Sequence, residues 1–319
     1  MLKGACLLAI LWFHTEMYYA GTDITPYAFY VGDVLATFFF LSGYVSYREE
    51  VVDVRQMLYG VFRWLLVPYF VFTSIIALPK AFVHNAYEGV VPLLANILSG
   101  HASWFVSSLI VARLMFIAVS YLSRSASWAL LLTALLALLL SAFVGNSLSE
   151  SYYMYDFWCV NEALLGYFFM VAGWFFRRYE PLLDRHFRSV TTLLCITLLV
   201  VMSKIAIVST DAEVVFGLIR VSNYPLFVFD LLVSILFLVS IAMRLPTVRP
   251  LTWVGKRSLV YYFFCGGCPL LVGKALRAVG FGYEHYLQIP LAFAIVVAFT
   301  TILVWLVYRF TPIMRRHSY

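Results

Sequence analysis

Long runs of apolar residues, separated by short polar segments, repeat along the whole chain. A helix needs about 20 such residues to cross the hydrocarbon core of a bilayer, and the runs suffice for about ten crossings. The segments predicted to cross are residues 2–21, 27–47, 58–79, 103–122, 127–145, 156–176, 190–209, 224–243, 257–276 and 286–308. The pattern therefore predicts an all-α integral membrane protein built as a bundle of about ten transmembrane helices.

The composition also argues against a soluble fold. Of the 319 residues, 63% are hydrophobic and 12% are charged, whereas soluble domains have about 45–50% apolar and about 25% charged residues. Ten crossings would use about two thirds of the chain. We therefore expect residues 1–319 to form a single transmembrane domain, in which helices and their ends carry any chemistry.

The distribution of lysine and arginine predicts the orientation in the membrane. With a cytoplasmic N-terminus, sixteen of the 22 Lys and Arg residues flank cytoplasmic ends, namely Lys3, Arg48, Arg55, Arg63, Arg124, Arg177, Arg178, Arg185, Arg188, Arg244, Arg249, Lys256, Arg257, Arg309, Arg315 and Arg316. Four flank the opposite ends: Lys80, Arg220, Lys274 and Arg277. Because cytoplasmic loops are enriched in these residues, both termini are predicted to be cytoplasmic, in a multi-pass protein of the inner or plasma membrane. Topology then explains the net charge of +6 without a nucleic acid partner.

The five cysteines lie in or beside apolar runs, where a free thiol behaves as a small hydrophobic group. Cys265 and Cys268 have the spacing of a redox or metal motif, but no second ligand pair lies nearby in the sequence. We therefore predict neither disulfides nor a metal site.

Ionisable side chains inside the apolar runs mark the candidate functional residues, because a charge in hydrocarbon is costly and is retained for a reason. These residues are His14, Glu16, Asp33, Arg113, Asp156, Glu162, Lys204 and Asp230, with Lys3 and Arg63 at the cytoplasmic edge.

His14 is the histidine that falls inside a predicted crossing, and imidazole accepts and returns a proton near neutral pH. Lys3 lies eleven residues earlier. That spacing is close to three helical turns, so both side chains project from one face, about 16 Å apart along the axis. The alternative is a snorkelling lysine and a histidine hydrogen-bonded to a neighbouring helix.

A general base needs a partner that orients it. Glu16 is poorly placed, because helix positions two apart do not face each other. Asp33 has a similar depth if the first two helices pack as an antiparallel hairpin, although it could instead neutralise Arg113 or Lys204. The other candidates for the partner are Asp156, Glu162 and Asp230.

Arginines at the cytoplasmic edge are explained mainly by topology, but the planar guanidinium also suits binding of nucleotide phosphates. Arg63 is favoured for that role. The next turn of its segment contains Pro68, and proline frees backbone groups that open a polar pocket.

Five segments occur in a characteristic order. The first, MLKGACLLAILWFH, has a basic residue, ten intervening residues and a histidine, from Lys3 to His14. The others are FFFLSGY at residues 38–44, RWLLVPYF at 63–70, Trp104-Phe105, and WVGKRSLVYYFFCG at 253–266. Together, along most of the chain, they resemble the acyltransferase family 3 membrane proteins.

The resemblance implies transfer of an acyl group, usually acetyl, from cytoplasmic acyl-CoA to a hydroxyl on the far side of the membrane. By this resemblance His14 is the general base or relays the acyl group, while Lys3 and Arg63 hold the CoA end of the donor. Ser42 and Gly43 offer a close-approach surface for the pantetheine arm, or else serve ordinary helix packing.

The implied acceptor is a surface polysaccharide or its lipid-linked precursor, as for other stand-alone members of this family. Further polar positions are assigned either to substrate contact or to structure: Glu16, Trp104, Arg113 and Glu162. The chain departs from the family at Cys265, where a histidine is frequent, and no role is carried to that position.

A flippase or exporter of lipid-linked glycans is the alternative function, with the intramembrane charges lining a substrate path. Such a protein would bind no acyl-CoA. Its loss would lower the amount of surface glycan and leave the acylation of that glycan unchanged.

Overall fold

The protein is described by a computed structural model that covers residues 1–47, 53–83, 89–147, 156–217 and 219–311. The helices are α1 Leu2–Thr15, α2 Val31–Tyr44, α3 Val54–Val61, α4 Val67–Val83, α5 Val90–Leu98, α6 Trp104–Leu122, α7 Ser127–Ser147, α8 Val160–Phe187, α9 Val190–Ser209, α10 Tyr224–Arg244, α11 Arg249–Lys256, α12 Ser258–Phe264, α13 Gly267–Ala278 and α14 Gln288–Phe310. Two short antiparallel strands, β1 Val214–Val215 and β2 Arg220–Val221, precede α10. Of the charges used to predict the orientation, Arg48, Arg315 and Arg316 lie outside the described residues.

The described residues confirm an all-α membrane protein, because seven of their helices are long and apolar enough to cross a bilayer. The number rises to eight if α12 and α13, bent by 46° at a short break, form one crossing. The expectation of about ten crossings is not established on these criteria. Each of the ten predicted segments nevertheless contains helix.

The two predicted crossings that fall short are the first two. A π-helical turn, Glu16–Ala20, follows α1 directly, and this segment carries Lys3, His14 and Glu16, which lower its hydropathy. The second, α2, is apolar but has 14 residues. The first two helices are therefore shorter or more polar than a helix that only spans lipid.

The chain divides into two compact units. The first comprises Met1–Leu35 and Leu238–Tyr319, and in it α1 packs against α11, α13 and α14. Gly4 of α1 and Gly255 of α11 allow the closest approach, since a Cβ on Gly4 would lie 2.0 Å from the carbonyl oxygen of Leu251. Small residues permit such backbone contact between membrane helices.

The second unit comprises Ala36–Phe237 and is built around α8, which packs against α6 and α7. In the apolar stretch of the helix that contains α8, 72% of the residues are buried, whereas 17% are buried in the apolar stretch of α9. Glycines again bring backbones together, because a Cβ on Gly173 would lie 1.9 Å from the carbonyl oxygen of Phe40 in α2. The core of this unit is therefore a small-residue helix contact surrounded by aromatic rings.

Candidate functional site

His14 lies in the last turn of α1, two residues before the π-helical turn. Its imidazole is half-buried and is flanked by two aromatic rings. The ring of Phe13 meets it edge-on at a centroid distance of 5.4 Å, and the ring of Tyr18 is parallel to it at 5.9 Å. The histidine is thus in an aromatic setting within the membrane helix, with part of its surface accessible.

Lys3 and His14 lie on one continuous helix, because α1 runs without a break from Leu2 to Thr15. Leu7 and Ile10, between them on the same face, are 1% and 3% exposed, whereas Lys3 and His14 are half-buried. Two polar side chains therefore border a buried apolar stretch, about 16 Å apart along the helix axis.

The Lys3 end of this helix face contacts the last of the five motifs, residues 253–266. A Cβ on Gly255 would lie 3.0 Å from the backbone nitrogen of Gly4 and 3.6 Å from the Cβ of Lys3. In the same segment the guanidinium of Arg257 stacks on Trp253 at 4.3 Å. Two of the motifs recognised in the sequence, Lys3-Gly4 and Gly255-Lys256, are therefore adjacent in the first unit. Glycine at both positions permits this close approach of the two backbones.

Glu16 is fully buried, and its carboxylate accepts three hydrogen bonds. Trp12 Nε1 donates at 2.8 Å, and the backbone N–H and the hydroxyl of Thr25 each donate at 3.0 Å. These bonds attach the connection between α1 and α2 to the end of α1. Glu16 therefore has a structural role in the described protein, in agreement with its poor placement for orienting His14.

Asp33 lies in the first turn of α2 and is 6% exposed. It belongs to the same compact unit as His14.

Cys265 lies at the break between α12 and α13 and is 6% exposed. It belongs to the same compact unit as His14, and it is the position at which the family frequently has histidine.

In the second unit, Arg113 of α6 donates a 2.8 Å hydrogen bond to the hydroxyl of Ser42 at the end of α2. A Cβ on the adjacent Gly43 would lie 1.7 Å from the carbonyl oxygen of Met170, in α8. Gly43 thus serves the small-residue packing that the sequence left open as an alternative for this pair.

Arg63 is half-buried within a second π-helical turn, Phe62–Leu66, which joins α3 to α4. Its guanidinium lies over the ring of Trp64, 5.1 Å from the centroid. A π-helical turn inside a helix frequently marks a functional position. The break precedes Pro68 and includes the arginine that the sequence singled out.

Trp104 begins α6, where its ring lies 3.0 Å from a Cβ placed on Gly217 and packs against Phe216. Glu162, in the first turn of α8, is 1% exposed. Glu162 thus lies in the interior of the second unit, and Trp104 is partly buried in the same unit.

Two of the remaining carboxylates have structural partners. Asp156 accepts hydrogen bonds from the backbone N–H groups of Val160 and Asn161, which caps the start of α8. Asp230 of α10 forms a 2.7 Å ion pair with Lys204 of α9 and accepts a hydrogen bond from Ser203. The lysine proposed as an alternative partner of Asp33 therefore has Asp230 beside it.

The comparison with protein families gives one match. The Acyltransferase domain model of acyltransferase family 3 matches residues 1–309, nearly the whole chain. No curated protein and no solved structure matches the chain. All five motifs lie within the matched residues.

Proposed function

Because the chain belongs to acyltransferase family 3, with a match over residues 1–309, we propose that it is an O-acetyltransferase of the inner or plasma membrane. The donor is cytoplasmic acetyl-CoA, and the acceptor is a hydroxyl of a cell-surface polysaccharide or of its lipid-linked precursor. The family match carries the acyltransferase activity. The motif from Lys3 to His14, on one unbroken helix, supports the assignment of the site.

His14 is proposed as the general base. Its imidazole removes the proton of the acceptor hydroxyl as the oxygen attacks the thioester carbonyl carbon. The carbon–sulfur bond then breaks, the acyl group remains on the acceptor oxygen, and the CoA thiolate takes up the proton. The half-buried imidazole is accessible enough to meet a substrate and shielded enough to limit competing hydrolysis by water.

Asp33 is proposed to orient His14. It is a buried carboxylate in the same unit, on the helix that follows α1. A carboxylate that accepts a hydrogen bond from the ring fixes the tautomer and stabilises the imidazolium formed during transfer.

The donor is proposed to interact with cations at the cytoplasmic edge. Lys3, in the first unit, offers an ammonium group to a phosphate of CoA, and Arg63, in the second, offers a guanidinium. Ser42 is proposed, on the family resemblance, to lie along the path of the pantetheine arm, next to the position where Gly43 packs against α8.

The proposed topology has ten crossings and two cytoplasmic termini. To the seven long apolar helices it adds the bent pair α12–α13, α1 with its π-helical turn, and α2. This arrangement preserves the excess of lysine and arginine on one side of the membrane.

The function is tested by mass spectrometry of surface glycans from cells with and without the gene. We expect loss of the gene to remove a mass of one acetyl group from the repeating unit, with the amount of glycan unchanged. A fall in glycan amount with full acetylation would contradict the proposal and support the flippase alternative.

A further inference from the structure

Tyr18 lies one turn beyond His14, and its ring faces the imidazole. The two ring planes are inclined by 12° and their centroids are 5.9 Å apart, which is offset parallel stacking. Tyr18 is half-buried, so its ring is not part of the sealed interior. The four-residue spacing from His14 is the sequence signal for this contact, since residues four apart share a helix face.

The backbone of Tyr18 is held by α13. Arg277 Nη1 donates to the carbonyl oxygens of Tyr18 and Tyr19 at 2.9 and 3.2 Å. A Cβ on Gly273 would lie 2.8 Å from the carbonyl oxygen of Tyr18, so α13 contacts this turn at backbone distance. Carbonyl groups near a helix end need donors from outside the helix, and Arg277 supplies them.

We propose that Tyr18 is a positioning residue for His14 and that α13 fixes it through Gly273 and Arg277. This inference rests on the proposed role of His14 as general base. A parallel aromatic ring restricts rotation of the imidazole about χ2, a torsion that is otherwise broad. The ring nitrogen that accepts the proton is then held toward the acceptor hydroxyl, and small misplacements of catalytic groups lower rates strongly.

Tyr19 provides a comparison within the same turn. It is 2% exposed, its hydroxyl donates to the carbonyl oxygen of Gly282 at 3.2 Å, and its ring stacks on Phe281. These contacts attach α1 to the loop after α13. The two adjacent tyrosines therefore have separable roles, with Tyr19 in the fold and Tyr18 at the imidazole.

The test compares Tyr18→Leu, Tyr18→Phe and Tyr19→Leu in the full chain. Membrane vesicles receive labelled acetyl-CoA, and incorporation into their own glycan is measured. We expect Tyr18→Leu to lower kcat about tenfold with an unchanged KM for acetyl-CoA, because positioning affects the transfer step rather than donor binding. Tyr18→Phe keeps the ring and restores kcat. Tyr19→Leu lowers the melting temperature but not kcat per folded molecule.

A second pair of variants acts from the side of α13. Gly273→Ala places a methyl group against the Tyr18 carbonyl, whereas a Cβ on Gly267 at the start of the same helix meets nothing within 4 Å. We expect Gly273→Ala to lower kcat and Gly267→Ala to leave it unchanged. This pair decides the question if Tyr18→Leu fails to accumulate.

Three results would overturn the inference. They are a wild-type kcat in Tyr18→Leu, an equal loss of kcat in Tyr18→Phe and Tyr18→Leu, or equal rates in Gly273→Ala and Gly267→Ala.

A failure of the proposed function gives a different result. Full transfer activity in His14→Ala would contradict the general base itself, whereas an inactive His14→Ala beside a fully active Tyr18→Leu would contradict the positioning role alone.

Discussion

At the scale of single residues, several ionisable groups inside the apolar segments have structural roles. Glu16 attaches a loop, Asp156 caps the start of α8, and Asp230 forms an ion pair. The imidazole of His14 lies against the rings of Phe13 and Tyr18. We choose His14 as the reactive group because imidazole is the side chain suited to proton transfer near neutral pH.

Glu16→Gln tests the structural role of the buried carboxylate. An amide supplies one acceptor oxygen in place of two and turns an N–H group toward existing donors. We expect the free energy of unfolding to fall by about 1–3 kcal/mol, measured as a lower melting temperature in detergent. Glu213→Gln is the control, since Glu213 is 52% exposed in a loose surface pair. Equal melting temperatures for both variants would contradict this role.

Helix periodicity predicted local geometry, but it did not predict contacts between distant segments. The face shared by Lys3 and His14 follows from helix periodicity, and α1 is continuous between them. The contacts of Gly4 with Leu251 and of Tyr18 with Gly273 join segments about 250 residues apart in the chain. Local spacing holds no record of such contacts, because they depend on how distant helices pack.

At the scale of helices, hydrophobic periodicity did not predict the places where the regular α-helical hydrogen bonding is interrupted. π-helical turns follow His14 and include Arg63, and a 46° bend separates α12 from α13. A run of apolar residues predicts a helix but not a local change in its hydrogen bonding. π-helical turns are frequent at functional positions, and here they adjoin His14 and include Arg63, two candidate residues from the sequence.

Gly4→Ala tests the contact between α1 and α11. The new methyl group would lie 2.0 Å from a backbone oxygen, which no side-chain rotation relieves. We expect a loss of about 1–3 kcal/mol in stability and weaker binding of acetyl-CoA, because Lys3 moves with the helix. Gly60→Ala, at a position where a Cβ meets nothing within 4 Å, is the control. Unchanged stability of Gly4→Ala would show that the two backbones are not in contact.

Asp230→Asn tests the ion pair between α9 and α10. Lys204 is 14% exposed at the side chain, so removal of its partner leaves a cation in an apolar setting. We expect a loss of about 3–5 kcal/mol from this single change. The double variant Lys204→Met/Asp230→Leu should recover most of it, measured by detergent melting. Equal melting temperatures for the single and double variants would argue against a stabilising pair.

At the scale of the whole molecule, apolar length accounts for seven crossings among the described residues, or eight if α12 and α13 form one. The first two helices, which carry His14 and Asp33, do not meet this criterion of length and hydropathy. A segment with a lysine, a histidine and a glutamate has lower hydropathy than one that only anchors the chain.

The proposed topology is tested by reporter fusions at both ends and after each of the ten proposed crossings. We expect cytoplasmic reporters to be active at residue 1 and at residue 319, with alternation between the two sides at each of the ten crossings. Opposite sides for the two ends would contradict an even number of crossings and remove the excess of lysine and arginine on which the orientation rests.

The most direct test of the account is acetyl transfer by His14→Ala in membranes. Labelled acetyl-CoA is supplied, and the label in glycan is counted per molecule of accumulated protein, with His186→Ala as the matched histidine control. Since a general base contributes about 100-fold or more to rate, the account predicts loss of transfer in His14→Ala and full transfer in the control. Wild-type transfer by a normally accumulated His14→Ala protein would contradict it.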